Sequence, residues 1–134
     1  MKFRHMMYNE LVEHCFFQPK HVGVLELNDK LCVYHRNGEA GRGDVIDFYL
    51  LCDEKGLILK ARFKAYGNPY LIAGAEWLCR QLEGSKINEH PHYEYAFLLK
   101  MLDIPQLRYP VALQLEDGYR ELVKIMKERL QGEN

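Results

Sequence analysis

Between residues 57 and 65 apolar and charged side chains alternate: Leu57, Leu59, Ala61, Phe63 and Ala65 fall on one side, with Lys60, Arg62 and Lys64 on the other. A period of two predicts a strand with one buried face. Residues 45–52 are strongly apolar and rich in strand formers, which predicts a central strand, and residues 31–36 alternate more weakly as a first strand. Asp53-Glu54-Lys55-Gly56 joins the last two strands as a hairpin, with Gly56 free to take positive φ. Elsewhere the period is helical. Leu11, Val12, Cys15 and Phe16 recur until Pro19, and Leu71, Ala75, Leu78, Cys79 and Leu82 recur until Gly84. A further helix over 93–102 is broken by Pro105, and Val111, Leu115, Tyr119, Leu122, Val123, Met126 and Leu130 form one long C-terminal stripe. The pattern predicts an α+β fold, a three-stranded antiparallel sheet with helices packed on one face. The stripe and Trp77 read as core.

The corner between the third strand and the next helix is sharply marked. Gly67 admits backbone angles closed to other residues, and Asn68-Pro69 reads as a cap followed by a helix start. Residue 68 is therefore expected at an exposed strand-to-helix turn.

Composition narrows the class. A chain of 134 residues with 48% hydrophobic content suits a single domain over 1–134. Its net charge of -1, from 18 Lys and Arg against 19 Asp and Glu, provides no global basic field, so nucleic acid is not expected as a partner. No run approaches the ~20 apolar residues of a membrane span, and Met1 to His5 lead into no secretory-type apolar stretch. The expectation is a cytoplasmic protein without a membrane partner.

The candidate chemistry is sparse. Cys15, Cys32, Cys52 and Cys79 form no Cys-x-x-Cys pair and read as buried small hydrophobes, Cys32 being the least determined. His90-Pro91-His92 with Glu94 nearby has the makings of a chelate, against the simpler reading of two incidental histidines on a polar connection. His14 and His21, beside Phe16 and Phe17, read as local caps, because no nucleophile motif accompanies them. No constellation supports an enzyme.

Four ordered segments resemble the NifU/IscU family of iron-sulfur cluster scaffolds. The run Ala61-Arg62-Phe63-Lys64-Ala65-Tyr66-Gly67-Asn68 is similar to the family's Ala-Arg-Phe-Lys-Thr-Tyr-Gly-Cys, with Asn68 at the ligand cysteine. Tyr8, Glu10, Val12, Pro19, Val22 and Gly23 match its N-terminal motif without a gap. Its Ala-Cys-Gly-Asp loop corresponds to Gly41-Arg42-Gly43-Asp44, which keeps Gly43 and Asp44 but has Arg42 for the cysteine. Its Leu-Pro-Pro-Val-Lys-Ile-His-Cys segment corresponds to Ile104-Pro105-Gln106-Leu107-Arg108-Tyr109-Pro110-Val111, and Glu116-Asp117 fixes the register.

The resemblance implies the scaffold fold with a degenerate metal site. Clusters are held chiefly by cysteine thiolates; a guanidinium has no lone pair for a metal, an amide is a weak hard ligand, and proline and valine side chains offer none. With Arg42, Asn68, Pro110 and Val111 at the family's ligand positions, Asp44 is the retained site residue and no cofactor is expected, although the family carries an iron-sulfur cluster. Arg42 beside Asp44 reads as a salt bridge filling the vacancy or as an anion or partner site. The implied role is accessory or regulatory in cluster assembly. Its partners would be a cysteine desulfurase, an assembly chaperone docking at Pro105, Leu107 and Arg108, or a genuine scaffold paralogue. The alternative is a protein-interaction or small-molecule-binding module with Tyr70, Tyr109 and Arg42 lining the emptied corner.

Overall fold

Strand β2 (Val45–Cys52) lies between β1 (Cys32–Asn37) and β3 (Ile58–Tyr66) and is antiparallel to both, so the sheet order follows the chain. The computed structural model describes residues 8–39, 41 and 43–132. Alternation along β2 sends Ile46, Phe48, Leu50 and Cys52 into the core, where none is more than 3% exposed. On the other face the register sets Arg36 opposite Asp47 and Tyr34 opposite Tyr49. Asp47 is buried there but fully partnered, accepting from Tyr34 Oη at 2.6 Å and from Arg36 Nε at 2.7 Å.

The described residues also form four α-helices: α1 (Glu10–Phe17), α2 (Pro69–Leu82), α3 (Tyr95–Met101) and α4 (Tyr109–Leu130), with short 3-10 turns at Ile87–Glu89 and Gln106–Arg108. The long helices α2 and α4 cover the apolar sheet face and cross each other closely. Gly74 allows the crossing, since a side chain there would collide with Leu115, and Gly118 lets α4 close on the sheet, since one there would press on the Phe48 ring of β2. Asn9 caps α1 through its contact with the Val12 N–H at 2.8 Å and ties it to α3 through Met101 O at 3.1 Å. Trp77 is half-buried, edge-on to Tyr93 with ring centres 5.0 Å apart.

The expected elements are all present, with shifted ends. The first and third strands each begin and end one residue later than the alternation suggested. The last helix begins at Tyr109, before the apolar stripe, because Pro110 sits in its first turn where no N–H is required. Before the sheet, residues 20–23 run beside β3: the Phe63 N–H donates to His21 O at 2.9 Å and the Gly23 N–H to Phe63 O at 2.9 Å. A similar cover forms lower down, where the Ile58 N–H reaches Ser85 O and the Gly84 N–H reaches Ile58 O, both at 2.8 Å.

Candidate functional site

Gly67 ends β3 with φ 127°, and any Cβ there would overlap the Asp44 carboxylate. That space lets Asp44, immediately before β2, reach across to the corner. Its Oδ1 accepts the Asn68 N–H at 2.7 Å. Asn68 is the N-cap of α2, with its side-chain oxygen accepting the Tyr70 N–H at 2.8 Å and Pro69 following in the first turn. Asp44 and Asn68 are thus adjacent, and each spends an oxygen on a backbone N–H group.

The start of α4 joins the same corner through a residue that the sequence did not single out. Gln114 Nε2 donates to Asp44 O at 2.8 Å and to Asn37 O at 3.2 Å, holding both ends of the loop between β1 and β2. One turn earlier on α4, Val111 is 4% exposed and packed into the hydrophobic core, whereas Pro110 faces solvent. Arg42, expected to fill the vacancy beside Asp44, lies outside the described residues. The aromatic lining expected at the corner is not formed by Tyr70, which is 8% exposed and packed edge-on against Tyr8. Tyr109 does remain exposed.

The segment expected to dock a partner is presented outward. Ile104 is buried and anchors it, Pro105 opens the 3-10 turn Gln106–Arg108, and Leu107 is 94% exposed. A leucine this exposed at the tip of a tight turn has no packing role in its own chain.

None of the four cysteines lies at the corner. All four are free and buried. Burial pushes each thiol up, Cys52 to about 12, with Asp53 adding to the effect, and Cys79 well above its usual value. Cys32, the least determined from sequence, is raised by burial and then by Asp29. Among the described residues no three His, Cys, Asp or Glu side chains converge as a metal site. The described side chains at the corner, Asp44, Asn68 and Val111, offer carboxylate and amide oxygens and hydrocarbon, a donor set that does not fit an iron-sulfur cluster.

The histidines also resolve. His21 is no local cap: its Nδ1 meets Glu76 Oε2 at 2.8 Å, across 55 residues of sequence. His14 Nδ1 lies 2.9 Å from Arg80 Nη1. His90 and His92 turn to different partners, Ser85 and Glu116, so they form no chelate with Glu94.

Comparison with known proteins decides the family, since the NifU-like N terminal domain matches residues 7–120. The chain belongs to that family. It is 24% identical over 124 residues to the iron-sulfur cluster assembly scaffold protein IscU of Escherichia coli (strain K12), covering 92% of this chain and 97% of that one. Among solved structures, FiSufU from Fervidobacterium Islandicum AW-1 superposes with TM-score 0.68 at 16% identity, covering 89% of this chain and 98% of its own. The N-terminal part of a nitrogen-fixing NifU-like protein from Brucella abortus gives TM-score 0.65 at 13% identity, covering 90% and 94%. The α+β architecture is that of NifU/IscU proteins. Within this NifU-like chain no described helix is long and apolar enough to cross a membrane.

Proposed function

We propose that this NifU-like protein, taken as one domain over 1–134, works in cytoplasmic iron-sulfur cluster assembly as an accessory or regulatory member of the scaffold family. It keeps the scaffold's frame and docking surface and does not itself hold a cluster at the corner. Membership of the family and the likeness to a protein named as an IscU scaffold support the general role. The observation that carries the accessory reading is at Asn68: where the family has a ligand cysteine, this chain has a helix cap whose side-chain oxygen is committed to the Tyr70 N–H. Asp44 is committed in the same way, and Val111 is in the core. The role is one of binding rather than catalysis. The partners in this reading are a cysteine desulfurase, an assembly chaperone or a genuine scaffold paralogue, met in part through Pro105, Leu107 and Arg108; the outward Leu107 supports this.

The test is reconstitution. Anaerobic incubation of the purified protein with iron, sulfide and a reductant should leave no iron-sulfur absorbance. The combined replacement Arg42→Cys, Asn68→Cys and Val111→Cys should recover at least a labile cluster, with Asp44 already in place. A stable cluster on the unaltered chain, lost when Asp44 and Asn68 are changed to alanine, would overturn the accessory reading. A pull-down from the native host that captures no assembly component would count against the general role.

A further inference from the structure

The His90-Pro91-His92 run forms one wall of a cleft against the C-terminal half of α4. Tyr119 Oη donates to Pro91 O at 3.2 Å, and His92 Nε2 meets Glu116 Oε2 at 2.7 Å, so this strap is pinned to the helix at two points. His90 is fixed from behind. The Ser85 hydroxyl lies 2.5 Å from Leu82 O and 2.5 Å from His90 Nε2, so it ties the ring to the end of α2. Between strap and helix is a space of about 310 Å³, whose lining includes Pro91, Tyr119, Arg120, Val123, Lys124 and Lys127.

Its chemistry is two-sided. Tyr119 and Val123 are 3% and 9% exposed and, with Pro91, supply apolar surface. Arg120, Lys124 and Lys127 recur at i, i+4 and i+7, one face of the helix. Arg120 is paired with Asp117, but Lys124 and Lys127 have no ion-pair partner among the described residues. Burial and then the Lys127 ammonium push the His90 imidazole down, so that charge is felt at the strap. Among the described residues Glu128 is the one carboxylate in the lining.

We propose that this cleft binds a small organic anion, with a flat apolar body against Pro91, Tyr119 and Val123 and a carboxylate, sulfonate or phosphate head between Lys124 and Lys127. The volume is at the lower end of the ~300–1,000 Å³ typical of small-molecule sites, which suits one or two rings with a head group and excludes a folded partner. Because both walls are pinned, little ordering opposes binding. The site is separate from the Asn68 corner: sixteen residues of helix place Lys127 about 24 Å along α4 from Val111.

The experiment uses naphthalene-2-sulfonate as probe and naphthalene-2-methanol as its uncharged analogue, titrated against the full chain and followed by amide nitrogen-proton NMR. Saturable shifts centred on Val123, Lys124 and Lys127 are expected, with the uncharged analogue about tenfold weaker. The double variant Lys124→Gln with Lys127→Gln should weaken the sulfonate by about tenfold or more, while Lys60→Gln with Lys64→Gln, on the sheet, should leave it unchanged. Absence of saturable shifts in the cleft overturns the proposal, as does equal affinity for the two probes. Equal loss from both lysine pairs also overturns it, since diffuse charge would then be the cause.

Discussion

Glu76 is fully buried in the middle of α2, and it holds His21 at two points: Oε1 accepts the His21 N–H at 2.9 Å and Oε2 meets His21 Nδ1 at 2.8 Å. Arg80 Nε, one turn on, supplies a third contact at 2.7 Å. A buried carboxylate is tolerable only with such partners, and removing the charge from the middle of the set leaves Arg80 and His21 with poor acceptors. Glu76→Gln should therefore lower stability by about 3 kcal/mol in urea unfolding. A loss under about 0.5 kcal/mol, the range of a neutral surface change, would show the anchor to be unimportant.

The acid limb of stability follows from the same group. Burial by itself would raise the Glu76 carboxyl, but hydrogen bonds from Arg80 and His21 outweigh it and hold the group below its ordinary 4.5. Hydrogen bonds from Arg36 hold Asp47 below 3.8 in spite of burial, with Tyr34 contributing. A carboxyl depressed in the folded state contributes stability that is complete above its unfolded value and lost as the pH falls through the folded one. The urea midpoint should decline as the pH drops below 4.5, and Glu76→Gln should remove part of that decline.

At the corner, Asn68→Ala should cost about 1 kcal/mol through loss of the cap, whereas Asn68→Asp should preserve it. Gly67→Ala should cost about 2 kcal/mol, because it combines a positive φ with a collision against Asp44. Thermal melts of the three variants check the order. If Gly67→Ala proves neutral, the close approach of Asp44 is not maintained in solution.

Thiol chemistry supplies an independent check on burial. Cys52 and Cys79 should resist a polar thiol reagent at neutral pH until denaturant is added, since burial raises both thiols and little thiolate exists to react. Rapid native labelling at either position, located by peptide mass, would show the core to open far more readily than its packing implies.

What the sequence disclosed was whatever recurs locally. Alternation in the first and third strands and the apolar run of the second located all three to within a residue, although Leu59, expected on the buried face, is exposed and Ile58 is buried instead, beside a register shift at Leu51 and Cys52; Gly67-Asn68-Pro69 spelled out the turn and cap. Contacts between distant elements left no such trace. Gln114 holding the loop at Asp44, and Glu76 holding His21, join residues 70 and 55 positions apart, and a buried glutamate inside an apolar helix face looks like any solvated one. The inward turn of Tyr70 is equally silent in the sequence, since position beside a helix cap says nothing of which way a ring turns; it packs against Tyr8. The cleft at Pro91 needed two segments brought together by Tyr119, which the pattern marked only as core.

The segment at residues 20–23 has a consequence for how the protein fails. An exposed strand edge is a template for another chain's strand, and β3 is the last strand of this sheet. Several of its outward backbone groups are already occupied, by three different devices: the Phe63 N–H and C=O by His21 and Gly23, the Ala61 N–H by the Glu83 carboxylate at 3.0 Å, and those of Ile58 by Ser85 and Gly84. Releasing His21 from Glu76 would uncover the uppermost of these sites while most of the core stayed folded. Variants at this anchor should therefore be lost first to strand-to-strand polymerisation, detectable as rising light scattering well below their melting temperature.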